Sequence, residues 1–188
     1  TGKTMSSENL PNHGVTGLNV GQDHVDSFMD YLVSAEKEPG RIHTRGEKVE
    51  KTSIRDAEIY PIDEKKVHLY DILNKIAVSA NKYFKYDISG IERAQIIHYK
   101  APSNGYSYHI DIGPQGTAAL RKISISLLLN EDYEGGDICF RSSEEESCTR
   151  PKAGEVVAFS SFISHKVNPI TQGDRYVVVA WFTGPPFR

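Results

Sequence analysis

The sequence is poor in several features that would assign it to a specialised class of protein. Its 188 residues include only two cysteines, Cys139 and Cys148, and a single tryptophan, Trp181. Two thiols are too few for a disulfide framework, and we expect both to be reduced. No apolar run approaches the length of a membrane span, and residues 1–12 have no hydrophobic signal core. We therefore expect a soluble, cytoplasmic protein with no membrane partner.

An excess of basic residues is also missing. Lysine and arginine number 22 against 25 aspartates and glutamates, which gives a formal net charge of -3. Because no basic field is available to hold a phosphate backbone, nucleic acid is not expected as a partner. The length suits one well-buried core. We expect a flexible segment at 1–16 and one domain at 17–188; the oligomeric state stays open.

The first half of that domain is expected to be helical. Apolar residues recur at helical spacing in 22–38, and Pro39 and Gly40 then supply a stop signal. A second and longer helical stripe covers 63–84. Residues 41–61, between the two, are charged and irregular. Helical support is thus expected over about 17–90.

From about 91 to 188 the pattern changes to short runs rich in β-branched and aromatic residues. Turn residues such as glycine, proline and asparagine separate them. The predicted strands are 94–99, 106–112, 122–129, 137–140, 155–159 and 176–182. Six short strands with such turns favour an α+β, mainly β, fold in which a sandwich or jelly roll packs against the two helices.

A metal site is indicated within the strand at 106–112. His109 and Asp111 are two positions apart, so on a strand their side chains share one face while Ile110 points to the opposite layer. A second imidazole, His165, follows several predicted turns later. Two histidines and one carboxylate form the facial triad of mononuclear non-heme iron(II) oxygenases, which leaves coordination positions open for substrates.

An arginine ten positions after His165 adds a second element. Arg175 begins a strand that is otherwise apolar through Phe182. A guanidinium inside such a strand is costly unless it meets a carboxylate, and its fork fits a carboxylate in bidentate fashion. The combination predicts a cosubstrate with two carboxylates.

With these residues in place, the chain resembles the 2-oxoglutarate and iron(II)-dependent dioxygenases, in particular the prolyl 4-hydroxylase-like branch. The resemblance covers about 99–182. Its pieces are Tyr99, Tyr106, 109–111, 121–130, 132–140, 151–155 and 165–175. It implies a double-stranded β-helix, or jelly roll, supported by N-terminal helices.

The resemblance also implies a role for each matching residue. His109, Asp111 and His165 would be the catalytic iron ligands, and Arg175 would pair with the distal carboxylate of 2-oxoglutarate. Leu128 stands where the family often has a hydroxyl facing the cosubstrate, which leaves Tyr99 or Ser126 for that contact. Candidate substrate contacts are Arg121, Tyr106 and Trp181.

The implied reaction consumes 2-oxoglutarate and O2, releases succinate and CO2, and hydroxylates a carbon, with ascorbate as a possible reductant. The leading substrate is a proline in a peptide or protein. A free amino acid or another small molecule is the alternative on the same scaffold. Oxidative demethylation of nucleic acid is disfavoured, because that branch has a second arginine where this chain has Trp181. A non-catalytic jelly-roll binding module is the alternative from another class.

Overall fold

The computed structural model describes residues 14–35, 55–142 and 145–187. Within them the chain forms two α-helices, twelve β-strands and a short 3-10 helix at Gly116–Leu120. In chain order the helices and strands are β1 (Val15–Asn19), α1 (Gln22–Ala35), β2 (Glu58–Pro61), α2 (Val67–Phe84), β3 (Gly90–Ile91), β4 (Gln95–Lys100), β5 (Tyr106–His109), β6 (Arg121–Leu128), β7 (Tyr133–Gly135), β8 (Ile138–Ser142), β9 (Glu145–Thr149), β10 (Glu155–Ser160), β11 (Ser164–Val167) and β12 (Ile170–Thr183).

The strands form a large and a small sheet. The large sheet has the order β1-β10-β6-β12-β4-β2, with β3 and β7 also paired to β12. The small sheet has the order β5-β11-β8-β9. Every pairing is antiparallel. This arrangement confirms the predicted jelly roll.

The period of two along β12 assigns its side chains to two different cores. Val178, Ala180 and Phe182 belong to the cluster that includes the buried side chains of both helices. Val177 belongs to a second cluster, which also contains Tyr99 of β4. Because successive side chains of a strand alternate between faces, Arg175 and Trp181 share the face of Val177. That face is the one directed at the small sheet.

The two helices cover the opposite face of the large sheet. Phe28 of α1 and Leu73 of α2 are fully buried there, as the helical apolar spacing predicts. α2 ends where Lys85 adopts a left-handed conformation and its N–H reaches the Asn81 carbonyl. The predicted helices at 22–38 and 63–84 are confirmed in kind, while 36–38 lie outside the described residues. No helix in the described ranges is long and apolar enough to cross a bilayer.

Several short strands were not predicted. β1 contains Val15 and Thr16, the last two residues of the segment expected to be flexible, and pairs along its whole length with β10. β2 lies in the stretch expected to be irregular, and β11 carries His165. These strands are short and lack a clear alternation, so their partners rather than their own sequences fix them.

His98 of β4 contacts residues of two neighbouring strands of the large sheet. Its Nε2 lies 2.7 Å from Asp174 Oδ1 on β12, and its Nδ1 lies 3.4 Å from Glu58 Oε2 on β2. Its ring stacks on that of Tyr176 with 4.3 Å between centroids. The imidazole thus faces away from Tyr99, the next residue on β4.

The cysteine prediction was wrong, because Cys139 and Cys148 form a disulfide. The two residues lie directly opposite each other in the antiparallel pair of β8 and β9. Antiparallel pairing places opposite Cβ atoms close enough to be bridged. The small number of cysteines suggested free thiols, but the register of the β8–β9 hairpin places Cys139 and Cys148 opposite each other, where they can bond.

Candidate active site

The two sheets bring the predicted metal ligands together. β5 and β11 pair so that His109 lies directly opposite His165, with 4.2 Å between ring centroids. Asp111 lies just past the end of β5, in a bend fixed by a hydrogen bond from its N–H to the Ser161 carbonyl at 2.9 Å. The expected strand through Ile112 therefore stops at His109. Ile110 is 51% exposed instead of packing in the opposite layer.

The ligand atoms of the three side chains converge. Asp111 Oδ1 lies 3.2 Å from His109 Nε2 and 3.5 Å from His165 Nε2. All three donor atoms fit within 4.8 Å of one another. Two imidazoles and one carboxylate at this spacing have the donor set of a facial triad.

Main-chain carbonyls hold both imidazoles in the tautomer that metal binding requires. His109 Nδ1 lies 2.8 Å from the Ser107 carbonyl, and His165 Nδ1 lies 2.9 Å from the Ile163 carbonyl. A carbonyl only accepts, so each Nδ1 carries the proton and each Nε2 keeps a free lone pair. Such second contacts orient histidine ligands and set their basicity.

Burial and charge keep these groups in the protonation states that bind metal. Burial lowers the pKa of His165 to about 4, although the Asp111 carboxylate opposes that change. Burial by itself raises the pKa of Asp111, but the polar contacts of its carboxylate with His109, His165 and Ser124 hold it well below its usual range. At neutral pH the site thus contains an ionised carboxylate beside a neutral His165.

Further groups contact the Asp111 carboxylate on its other side. The Trp181 indole N–H donates to Oδ2 at 3.0 Å. The Ser124 hydroxyl also hydrogen-bonds to the carboxylate and helps to lower its pKa. The tryptophan was predicted to lie near this pocket, but its contact with the candidate ligand Asp111 could not be derived from sequence spacing.

Arg175 is buried in the same cavity, with 1% of its surface exposed. Its Nε and Nη1 have no hydrogen-bond partner among the residues that the structure describes. Its guanidinium carbon lies 5.4 Å from the ring centre of Tyr99 and 5.9 Å from that of Tyr133. A buried guanidinium with free donors requires an anionic acceptor, and a carboxylate fits its fork.

Gly136 makes room for the Arg175 side chain. Its φ is +70°, and a Cβ at this position would lie 2.8 Å from Arg175 Cδ. A side chain here would therefore displace the guanidinium.

The two hydroxyls proposed for the cosubstrate also line this cavity. Tyr99 lies opposite Arg175 in the pairing of β4 and β12, and Ser126 lies opposite Val179 in that of β6 and β12. Burial raises the pKa of Tyr99, so its hydroxyl keeps its proton and can donate. Leu128 is fully buried in the second apolar cluster, the one that contains Tyr99 and Val177.

The candidate substrate contacts surround the metal ligands, but they differ in availability. The Tyr106 ring stacks on His109 with 3.7 Å between centroids. Arg121 is already engaged: Nε and Nη2 bond to Glu92 at 2.8 and 2.7 Å, and Nη1 donates to the Asp111 carbonyl at 3.0 Å. A substrate contact by Arg121 remains a prediction.

Arg55 is the residue to which the sequence assigned no role. It lines the same cavity, its guanidinium carbon lies 4.4 Å from the ring centre of Tyr106, and its Nε is buried with no partner among the described residues. An isolated bridge pairs it with Tyr106, and Asp56 bonds to Gly105 and Asn104. Residues 55–56 are thus joined to the segment at 104–106, which leads into β5.

The residues present fit both groups that the sequence predicts. His109, Asp111 and His165 offer the donors that iron(II) takes in a facial triad. Arg175 offers free, buried donors for a carboxylate, and the Tyr99 and Ser126 hydroxyls line the same cavity.

Comparison with known proteins identifies relatives of this part of the chain. Residues 94–183 match the model of the 2OG-Fe(II) oxygenase superfamily. A PKHD-type hydroxylase of Prochlorococcus marinus is 36% identical over 81 residues, which cover 41% of this chain and 36% of that protein. A PKHD-type hydroxylase of Colwellia psychrerythraea is 34% identical over 90 residues, covering 46% and 40%. The matches thus span two fifths or less of these curated relatives.

Solved structures extend the likeness of fold to nearly the whole chain. A prolyl-4-hydroxylase of Pseudomonas putida has a TM-score of 0.71 at 20% identity, covering 93% of this chain and 94% of that one. A Trichoplax adhaerens prolyl hydroxylase, solved with a hypoxia inducible factor peptide fragment, has a TM-score of 0.69 at 19% identity, covering 92% and 84%. Residues 94–183 are thus similar to the 2OG-Fe(II) oxygenase superfamily, and the solved structures show that the chain shares the fold of the prolyl hydroxylases.

Proposed function

We propose that this protein is an Fe(II)- and 2-oxoglutarate-dependent hydroxylase that acts on a proline in a peptide or protein. The observation that carries the proposal is the pairing of two features in one cavity. The His109, Asp111 and His165 donors converge, and Arg175, whose Nε and Nη1 have no partner among the described residues, lines the same cavity.

In this proposal each group of residues has a distinct task. His109, Asp111 and His165 hold iron, Arg175 binds the distal carboxylate of 2-oxoglutarate, and the Tyr99 or Ser126 hydroxyl donates to the same cosubstrate. Once bound, iron and 2-oxoglutarate supply the oxidising chemistry: O2 oxidatively decarboxylates 2-oxoglutarate to succinate and CO2 and hydroxylates the substrate. The buried, apolar walls keep water away from this chemistry.

The aromatic side chains beside the metal ligands support a prolyl substrate. Tyr106 and Trp181 line the cavity that holds the candidate ligands. A proline ring is apolar and packs well against aromatic side chains. The likeness of fold to prolyl hydroxylases, one of them solved with a peptide, is a further support.

The decisive experiment measures succinate and hydroxyproline together. The purified chain is incubated with Fe(II), 2-oxoglutarate, ascorbate and proline-rich peptides, each matched by a peptide with alanine in place of proline. We expect succinate to form in step with hydroxyproline for the proline peptides alone. Turnover of free proline or another amino acid instead would favour the small-molecule alternative. No turnover, with no iron-dependent binding of 2-oxoglutarate, would support the non-catalytic jelly-roll alternative.

Two variants separate the roles of metal ligand and cosubstrate ligand. Asp111→Ala should abolish hydroxylation, because it removes the one anionic donor of the metal. Arg175→Ala should mainly raise the 2-oxoglutarate concentration needed for half-maximal rate, since metal binding does not require this guanidinium. An unchanged 2-oxoglutarate requirement in Arg175→Ala would refute the role assigned to it.

A further inference from the structure

The two oxygens of the Asp111 carboxylate have different neighbours. Oδ1 faces both imidazole Nε2 atoms, at 3.2 and 3.5 Å. Oδ2 accepts the Trp181 indole N–H at 3.0 Å. The Asp111 side chain is only 9% exposed, so this contact is sheltered from competing water. One oxygen is thereby free for a metal while the other is already engaged.

The indole that makes this contact is itself held in place. The Arg121 guanidinium stacks on it, with 4.2 Å from Cζ to the ring centre. The same guanidinium donates to the main-chain carbonyl of Asp111 at 3.0 Å and forms a two-bond ion pair with Glu92. Arg121 and Glu92 are mostly buried, with side chains 19% and 15% exposed. Asp111 is therefore held at two points: Arg121 bonds to its main-chain carbonyl and Trp181 bonds to its carboxylate.

We propose that Trp181, supported by Arg121, is a positioning residue that restricts Asp111 to binding the metal through one oxygen. A carboxylate with both oxygens free can bind a metal in bidentate fashion. That second bond would occupy a coordination position that the cosubstrate needs. This inference rests on the metal site of the proposed function.

The test begins with metal affinity in the absence of any substrate. Trp181→Phe keeps an aromatic ring for Arg121 to stack on but removes the N–H donor. Its affinity for Co(II), measured by competition with a colorimetric chelator, should fall roughly 10- to 100-fold, as is typical when a partner of a metal ligand is lost. The matched control is Tyr70→Phe on α2, which removes an aromatic O–H that donates to the Ile62 carbonyl and should leave the affinity unchanged.

Two further readouts distinguish positioning from a merely structural effect. The visible spectrum of the Co(II) protein reports coordination number and should differ between Trp181→Phe and wild type, but not between Tyr70→Phe and wild type. Arg121→Met should also weaken Co(II) binding without a peptide present. A substrate contact alone would leave that affinity unchanged.

The single tryptophan gives an independent readout in the unmodified protein. Trp181 is the only tryptophan of the chain, so its fluorescence comes from a ring bonded to a proposed ligand. Co(II) should quench it, and Asp111→Ala, which keeps the indole, should lose most of that response at the same Co(II) concentration. If wild type binds Co(II) but Trp181→Phe has the same affinity and spectrum, the positioning role is refuted and the proposed function stands. If wild type binds no metal, both fail.

Discussion

Arg175 illustrates how one residue can make the inner cavity specific for an anion. Its charge is almost fully buried, and two of its donors have no partner in the described part of the chain. Leaving such donors unmet is costly, so the cavity favours a ligand that can satisfy them. Gly136 permits this arrangement, because any side chain there would push the guanidinium aside.

We predict that Gly136→Ala impairs both stability and use of 2-oxoglutarate. A left-handed φ costs an alanine about 1 kcal/mol or more, and its Cβ would collide with Arg175. The control is Gly21→Ala, where φ is +85° and nothing lies within 4 Å of the added Cβ. Urea unfolding should show a loss of stability in both variants. The half-saturating 2-oxoglutarate concentration should rise in Gly136→Ala alone; a rise in both would contradict the proposed steric role.

A second residue-scale prediction concerns Arg55. If its Nε, which has no partner in the described part of the chain, donates to a substrate carbonyl, Arg55→Leu should raise the half-saturating peptide concentration roughly 10- to 100-fold, as for a lost hydrogen bond to a charged group. The half-saturating 2-oxoglutarate concentration should stay near that of wild type. Arg150→Leu, which removes a surface pair with Asp137, serves as the control. If Arg55→Leu instead raises the half-saturating 2-oxoglutarate concentration and leaves that of the peptide unchanged, Arg55 contacts the cosubstrate and not the peptide.

At the scale of elements, the hairpin of β8 and β9 braces the small sheet that carries both histidines. Phe140 of β8 lies opposite His165 of β11 in the sheet. Glu146 of β9 accepts the Tyr108 hydroxyl of β5 and pairs with Lys166 of β11 at 3.0 Å. Although Glu146 is exposed, it contacts both β5 and β11, the strands that carry His109 and His165.

The disulfide of this hairpin leads to a prediction. Cys139 and Cys148 are nine positions apart, and closing so short a loop stabilises the folded state by about 2 to 3 kcal/mol in the chain-entropy view. A reducing agent should lower the urea midpoint of wild type but not that of Cys148→Ser. Thiol titration of the denatured, unreduced protein should find no free thiol. Two free thiols, with no effect of reductant, would contradict the assignment.

At the scale of the whole molecule, the large sheet separates two environments. Its helix-facing side packs against α1 and α2 in the largest apolar cluster, which contributes stability but no chemistry. Its other side meets the small sheet and carries Tyr99, Ser126, Arg175 and Trp181 into one cavity. The binding site in this cavity exists only in the folded state, so a ligand that binds there should stabilise the entire fold.

We therefore predict that the effect of 2-oxoglutarate on the melting temperature depends on the presence of a divalent metal. Mn(II) should raise the melting temperature, and 2-oxoglutarate should raise it further only when Mn(II) is present. At a ligand concentration 100 times its dissociation constant, each increment corresponds to about 2.7 kcal/mol. Arg175→Ala should keep the metal increment and lose the cosubstrate increment, whereas Asp111→Ala should lose both. A cosubstrate increment without metal would argue against chelation at the triad.

Much of this organisation was predictable because it depends on local periodicity. The spacing of apolar residues indicated both helices, and alternation along β12 placed Arg175 and Trp181 on one face. The strand containing His165 was missed, since β11 has only four residues. The sequence correctly paired His109 with Asp111, but it assumed that both lie on one strand, whereas β5 ends at His109. Asp111 lies in a bend after β5, where the Ser161 carbonyl positions it.

The sequence by itself determined which donors and which charges the protein has: two histidines and a carboxylate for a metal, and one arginine in an apolar strand. Only the tertiary structure decided that Trp181 engages the far oxygen of Asp111, that Arg55 enters the same cavity, and that the two cysteines join. The physical reason is the distance along the chain over which each effect acts. Backbone geometry fixes side-chain direction over a few residues, whereas contacts between distant segments depend on how the sheets pack.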